Sequence, residues 1–556
     1  MLVSDEAQFT PSAPGASPIT ARARRFLPYL IFLSAGLWFA FYPTLLSGFR
    51  RMEINTGDTR VMNFFLEYSY RWIQGWLTLH PISLWDPPFF YPTRNVGAYS
   101  EVVLGSAPIY WLLRAVQFAP DTAFQLWMMI LLIIDFASMI LFLRNCLGFD
   151  PLPSAVGAFL FAFGGPRLAQ LGHQQLLPHF FTIFAIYGLF RFFEPRRMSA
   201  GQGIGLFFLC FAAQLWAGFY LGWYLFFGLL VLTVWAVCLQ RSRQFLVQHL
   251  IRHRTSVVSA ASVFAVFIAP MAYHYFKALR ELGGRPFADI ALMIPPLQSW
   301  LYLGPQSWLY SWQTKFGLFQ SITYQHEQCL GIGWPTLILA VLGFHRFQKK
   351  QGGWATLVGL SALTIVLLTT LYPGGHTPWK YLYRLVPGGS AIRALSREAL
   401  LMLIPFSIGL AYLVETRKRF MAAIVIAGIC VLEQAQHIDA YDKLQLRKDT
   451  GAIAERIDKG CEAFYYAPRF RDRAEAPPQY ELQIDAMWAA LQTGIPTLNG
   501  YSGNLPRGWW DLWENSWVDQ QSERRMQEAL ARWEMFNHLD PTRICWIGSP
   551  WPRSLR

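Results

Sequence analysis

VVLGSAPIYWLLRAVQF, residues 102–118, decides how this chain is threaded. The stretch is apolar enough to cross a bilayer. It is also short and carries Pro108 and Arg114, so a helix lying in the membrane interface reads equally well. The choice matters because every later hydrophobic block changes side with it.

The blocks themselves are plain. Of 556 residues, 54% are apolar and only 15% charged, and mean hydropathy is +0.26. A soluble domain carries about a quarter charged residues, so the balance points away from a cytosolic enzyme and rules out disulfide scaffolds, coiled coils and disordered tails. The first block, Phe26 to Leu46, follows a polar, Pro/Ser/Ala-rich start and Arg22, Arg24 and Arg25. It has no small-residue cleavage site after it and reads as an uncleaved signal anchor with residues 1–25 cytoplasmic. Further blocks begin near Thr122, Leu152, Leu177, Gln202, Phe219, Ser256, Leu330, Trp354, Ala399 and Phe420. These blocks run to about 15–25 residues, the length of a transmembrane helix, and give about eleven spans within residues 26–434.

Parity then resolves residues 102–118. If they do not span, Arg196/Arg197, Arg241/Arg243/Arg252/Arg254, Arg346/Lys349/Lys350 and Arg417/Lys418/Arg419 all fall in short loops on the N-terminal side. If they span, all these clusters move outside. Short basic loops mark the cytoplasmic face, so residues 102–118 are expected in the interface. Outer loops then cover 48–121, 277–328 and 372–397, with residues 435–556 outside as well. The net charge of +13 follows from this topology and needs no nucleic-acid partner. The 16% aromatic content, with 23 Trp, suits extensive membrane interfaces. The tail, with Pro/Gly turns, the short runs "CEAFYYAP" and "RICWIG", and the helically spaced "LQIDAMWAALQTG", predicts a small α+β domain. The expected fold is therefore a polytopic α-helical membrane protein with an extracytoplasmic α+β domain.

Polar chemistry gathers in the outer segments. Asp58 stands just after the first span, before a stretch that can lie as an amphipathic helix; Asp86, Arg94, Asn95 and Glu101 follow in a Pro- and aromatic-rich crossing. A carboxylate at the membrane surface is costly unless paired or used. Asp58, with Asp86 or Glu101 as a second carboxylate, suits acid/base work or a divalent cation such as Mg or Mn. Equally, Asp58 can cap its helix and Asp86 a turn. Arg167, His173 and His179 cluster in "FGGPRLAQLGHQQLLPHF" at the outer end of the third span, either as site residues or as a satisfied turn. Arg393 and Arg397 are four apart and share a face if helical. They suit a phosphate on a lipid headgroup or lipid-linked molecule, or else snorkel to the bilayer surface. In the tail, Asn499–Gly500 and Ser502–Gly503 mark tight turns. Trp509, Trp510, Trp513 and Trp517 can dock on the membrane, pack a core or stack on sugar rings. Walker, HExxH, CxxC and GxSxG signatures are missing, and no internal repeat is evident, which weakens a transporter built on duplicated halves.

"GDTR" with Asp58, "WDPPFFYPTRNVGAYSE", "YLYRLVPGGSAIRALSRE" and "NGYSGNLPRGW" together resemble the GT-C superfamily of integral-membrane glycosyltransferases, in particular bacterial members with an extracytoplasmic C-terminal domain. The first span followed by a long outer loop with acidic residues is shared; the usual adjacent second acid is missing beside Asp58. The resemblance implies transfer of a sugar from a polyprenyl-phosphate-linked donor to a glycan, lipid or protein acceptor outside a bacterial inner membrane. On this reading Asp58 is catalytic, Arg94, Arg393 and Arg397 hold the donor phosphate, and Asn95, Arg167 and His173 lie near the sugar or acceptor. The rival readings are a flippase for lipid-linked glycans and a non-catalytic membrane scaffold.

Seven cysteines complete the inventory. The topology puts Cys146 inside, Cys210, Cys238 and Cys430 within spans, and Cys329 at an outer edge. Cys461 and Cys545 fall in the outer domain, where oxidation is permitted. Each adjoins a short strand-like run, so they are either a disulfide or two buried thiols.

Overall fold

The structure is a computed structural model that describes residues 18–416 and 420–548, with side chains from residue 26 onward. The basic side chains at 22–25, the cluster 417–419 and the extreme C-terminus lie outside the described residues.

The chain is mostly helical. Leaving short turns unlabelled, its helices are α1 (Pro18–Leu46), α2 (Asp58–Leu77), α3 (Ala107–Ala115), α4 (Pro120–Asn145), α5 (Pro151–Phe163), α6 (Phe180–Phe193), α7 (Ala200–Ala217), α8 (Phe219–Cys238), α9 (Gln240–Arg252), α10 (Arg254–Leu282), α11 (Trp334–Gln351), α12 (Gly353–Thr369), α13 (Ala399–Glu415), α14 (Phe420–Glu433), α15 (Lys443–Ala454), α16 (Gln479–Thr493) and α17 (Gln520–Phe536). Several starts are written locally: Pro120 and Pro151 open α4 and α5, and Ser199 with Gln202 forms a capping box on α7.

Seven helical segments among the described residues are long and apolar enough to cross a membrane: Phe26–Leu46, Pro120–Asn145, Gln174–Phe193, Ala200–Ala217, Phe219–Cys238, Arg254–Leu282 and Leu395–Glu415. The other four expected blocks form α5, α11, α12 and α14, which are shorter or more polar. At 13 residues, α5 is only about 20 Å long and is buried among its neighbours. The centre of the bundle is tight because small residues let backbones meet. A Cβ on Gly343 of α11 would stand 2.0 Å from the Gly409 carbonyl of α13, and one on Gly409 would stand 2.1 Å from the Ala340 carbonyl. By contrast α10 stands at the edge, packed mainly along α7.

Residues 102–118 contribute only the nine-residue α3, roughly 13 Å long and too short to span. Its Arg114 is bound to Glu67 of α2, Nε to Oε2 at 2.7 Å, and Tyr110 donates to the same carboxylate. That pairing holds α3 against the amphipathic α2 and removes the charge that made the stretch ambiguous.

The two ends of the bundle differ. One end gathers short connections: the Asp150 amide donates to Glu415, Arg191 donates to the Asn145 carbonyl, and His249 of α9 meets the Phe192 carbonyl. The other end gathers the start of α2, the loop after α5, the long segment before α11, the end of α10 and the C-terminal tail. The tail is α+β, yet its strands are shared with the first loop. Strand β1 (Arg51–Glu53) pairs antiparallel with β2 (Ala440–Asp442), while β3 (Ala463–Tyr466) pairs in parallel with β4 (Ile544–Ile547). A disulfide joins Cys461 to Cys545, with Cα atoms 5.7 Å apart.

The Pro-rich crossing "DPPFFYP" seats the tail. Phe90 and Tyr91 amides donate to Asn499 and Thr497 carbonyls, and Thr497 returns a bond to Pro88. Asn499–Gly500 is therefore not the expected tight turn. Asn499 is buried and hydrogen-bonds Tyr466 and Gln483, and Gly500 is needed because a Cβ there would lie 2.3 Å from the Phe90 ring. Farther along, Arg60 of α2 grips Asp485 of α16 at 2.6 Å, with both side chains buried.

Candidate active site

Asp58 is the first residue of α2, but Gly57 occupies the N-cap and no side chain caps this end. The capping role considered for Asp58 is thus not the one it plays. Its carboxylate, 38% exposed, accepts a hydrogen bond from the Tyr501 hydroxyl at Oδ1 (3.1 Å), and its Oδ2 lies 3.4 Å from His173 Nε2. The same nitrogen lies 3.3 Å from Glu327 Oε1. Glu327 in turn is held by Arg397, with Nη2 at 2.9 Å and Nε at 3.3 Å, and by Gln170 Nε2 at 3.3 Å. Arg397 completes the row by lying over the Tyr220 ring, 4.7 Å from its centroid. The result is a continuous line, Tyr501–Asp58–His173–Glu327–Arg397, running from the solvent-facing tail into the bundle.

Electrostatics differ along it. Burial pushes the Glu327 carboxyl up, but Arg397 and then His173 outweigh burial and hold it well below the usual carboxylate range. Burial lowers the His173 imidazole, Arg397 adds to that, and the carboxylates of Glu327 and Asp58 oppose it. Glu101 sits beside this row. Burial pushes its carboxyl up to about 7 against the pull of Arg397 and of the Tyr220 and Phe219 amides, and its Oε2 is buried without a hydrogen-bond partner among the described residues.

Other expected site residues fall elsewhere. Asp86 accepts a bond from the Asn95 amide (2.7 Å), with Arg94 Nη1 at 3.9 Å and 80% exposed. Asn95 fastens this turn to α10 through the His274 carbonyl and Nδ1. None of these contacts reaches Asp58. Asp86 thus ties the two ends of the crossing together across nine residues, and with Arg94 it lines a separate cavity of about 850 Å³ between α2 and the end of α16. Arg167 is 1% exposed and spent on the Leu176 carbonyl, His179 and Asp135. It braces the loop that carries His173 from behind. Gln174 ties that loop to Thr59 of α2 at 2.9 Å.

The two arginines four apart do not share a helical face, because residues 392–394 are extended between two short 3-10 turns. Arg397 turns inward and its fork is occupied by Glu327. Arg393 is half-buried and faces Tyr501 and Arg285 electrostatically. Arg285 itself donates to the Gly503 carbonyl and Asn504 of the tail.

Glu327 and Arg285 were not singled out from sequence. Glu327 sits just before the block beginning near Leu330, the same position at the mouth of a span that flagged Asp58, so the same argument would have found it. Arg285 carries no comparable local signal. For a divalent cation the donor set does not fit. No group of three or more His, Cys, Asp or Glu among the described residues is arranged to hold one, and Glu327 is already neutralised by Arg397. Compared with family models and with curated proteins, the chain matches none.

Proposed function

We propose that this chain is a membrane glycosyltransferase that moves a sugar from a polyprenyl-phosphate-linked donor to an acceptor hydroxyl at the extracytoplasmic face of a bacterial inner membrane. The topology that goes with this reading has about eleven spans, a cytoplasmic N-terminus and the tail outside. The observation that carries it is Asp58: a partly exposed carboxylate, free of helix capping, oriented by Tyr501 and His173 at the end of the bundle where arginines collect.

In this reading the acceptor O–H gives its proton to Asp58 as its oxygen attacks the anomeric carbon. The bond from that carbon to the phosphate oxygen breaks, and polyprenyl phosphate leaves with the electron pair. Arg393 and Arg285, two like charges that repel each other, welcome the phosphate; the occupied Arg397 positions Glu327 and, through it, His173. A flippase is less well supported. Asp135, the intramembrane acid, takes the His179 amide and lies 3.9 Å from Arg167, so it is spent on structure.

The test is lipid extraction and glycan profiling of a deletion strain complemented with wild type or Asp58→Asn. Loss of a positioned base costs about 10²–10⁴-fold in rate, so the variant accumulates lipid-linked sugar. A folded Asp58→Asn chain that restores the glycan overturns the assignment.

A further inference from the structure

Of the four tryptophans in "GWWDLWENSW", two are core. Trp509 and Trp517 are buried, and their indole N–H groups donate to the Leu498 and Ala467 carbonyls. Of the other two, Trp513 is half-buried against the core and Trp510 opens outward. Trp510 is 65% exposed and stacks on Trp513, with ring centroids 5.8 Å apart and planes within 4°. Trp513 lies 6.1 Å from Tyr501, and Tyr501 lies 6.2 Å from Tyr480. Tyr501 is the residue whose hydroxyl holds Asp58. An aromatic row therefore runs without a break from solvent to the candidate base.

The surroundings of this row are polar. Arg507, Asp511 and Glu514 beside Trp510 are exposed, and Asp511 is paired with Arg532 at 2.9 Å. Such a charged rim opposes insertion into lipid, where each charge would lose its water. It suits a ligand that offers both an apolar face and many hydroxyls. Next to Tyr501, the Ser502 hydroxyl is buried and has no hydrogen-bond partner among the described residues. Flat aromatic faces with hydrogen-bonding groups around them match the two-sided chemistry of a sugar ring.

We infer that Trp510, Trp513, Tyr501 and Tyr480 form a carbohydrate-binding platform, and that the acceptor is a glycan led along it to Asp58. This rests on the glycosyltransferase reading for its direction, but the platform can be tested without turnover. The full chain in lipid nanodiscs is probed with chitohexaose, cellohexaose and mannohexaose by saturation-transfer NMR. At least one hexaose is expected to bind, and Trp510→Ala to weaken it roughly tenfold. Absence of binding by all three, or binding unchanged in Trp510→Ala, overturns the platform. So does quenching by brominated lipid that disappears in Trp510→Phe, which would make the row a membrane anchor. A failure of the Asp58 assignment shows instead as retained transfer in Asp58→Asn, with these binding results untouched.

Discussion

Replacing Glu327 with Gln takes the negative charge from between Arg397 and His173 while keeping the volume. Both members of the ion pair are nearly sealed from water, at 2% and 5% exposure, and joined by two contacts at 2.9 and 3.3 Å. Breaking a buried pair by removing one partner costs about 3–5 kcal/mol, because the remaining charge stays buried without its counterion. Gln still accepts one bond from Arg397, so the lower end, about 3 kcal/mol, is expected. The assay is reversible SDS titration in mixed micelles, followed by tryptophan fluorescence, for Glu327→Gln, Arg397→Met and the double variant. The double variant should recover roughly 2 kcal/mol of the summed single losses, since neither charge is then stranded. The sign with pH is fixed as well. A carboxyl held below its ordinary value stabilises fully above about pH 4.3 and loses that contribution as pH falls through its folded value. The penalty of Glu327→Gln is therefore present at neutral pH and shrinks in strong acid. A single loss under about 1 kcal/mol, or strict additivity of the two changes, would refute the reasoning.

Three further outcomes follow from other contacts. Gly500→Ala drives a methyl into the Phe90 ring and should cost about 1–3 kcal/mol by the same titration, whereas Gly451→Ala, inside α15 with open space around it, should gain about 0.5–1 kcal/mol. A non-reduced digest should yield one peptide pair linked through Cys461 and Cys545. Replacing both with Ser should lower stability by about 2–5 kcal/mol, and free alkylatable thiols at both positions contradict the bridge. Glu101, raised to about 7, favours its neutral form in the folded chain, so it lowers stability as pH rises from about 4.3 through 7. Glu101→Gln should therefore gain on the wild type between pH 5 and pH 8; an unchanged difference across that range refutes the burial argument.

Much of the scaffold was legible because it is written in short range. Hydrophobic blocks and proline starts mark helices wherever they occur, whereas Pro108 and Arg114 left residues 102–118 ambiguous, and the short helix Ala107–Ala115 agrees with the non-spanning reading that the loop charges favoured. Asp58, His173 and Arg397 were legible one at a time as polar groups at block ends, but not as one line. Their juxtaposition depends on Glu327, which is 70 residues from Arg397 in the chain and joins it only through folding. The roles of Arg393 and Arg397 could not be told apart either. Spacing four suggests a common face, and only the extended backbone at 392–394 sends them in different directions. Asp86 is a further case. A local turn cap was the structural role the sequence offered, whereas its carboxylate reaches the Asn95 amide nine residues on and closes the whole crossing.

Strand β2 and Tyr501 have a consequence for biosynthesis. The first loop leaves the ribosome with β1 lacking its neighbour and Asp58 lacking its hydroxyl partner, and both stay so while every intervening helix is made. Completion of the site is thus postponed to the closing stage of translation. Nascent chains, and products of premature termination before residue 501, carry Asp58 without one of the two groups that orient it.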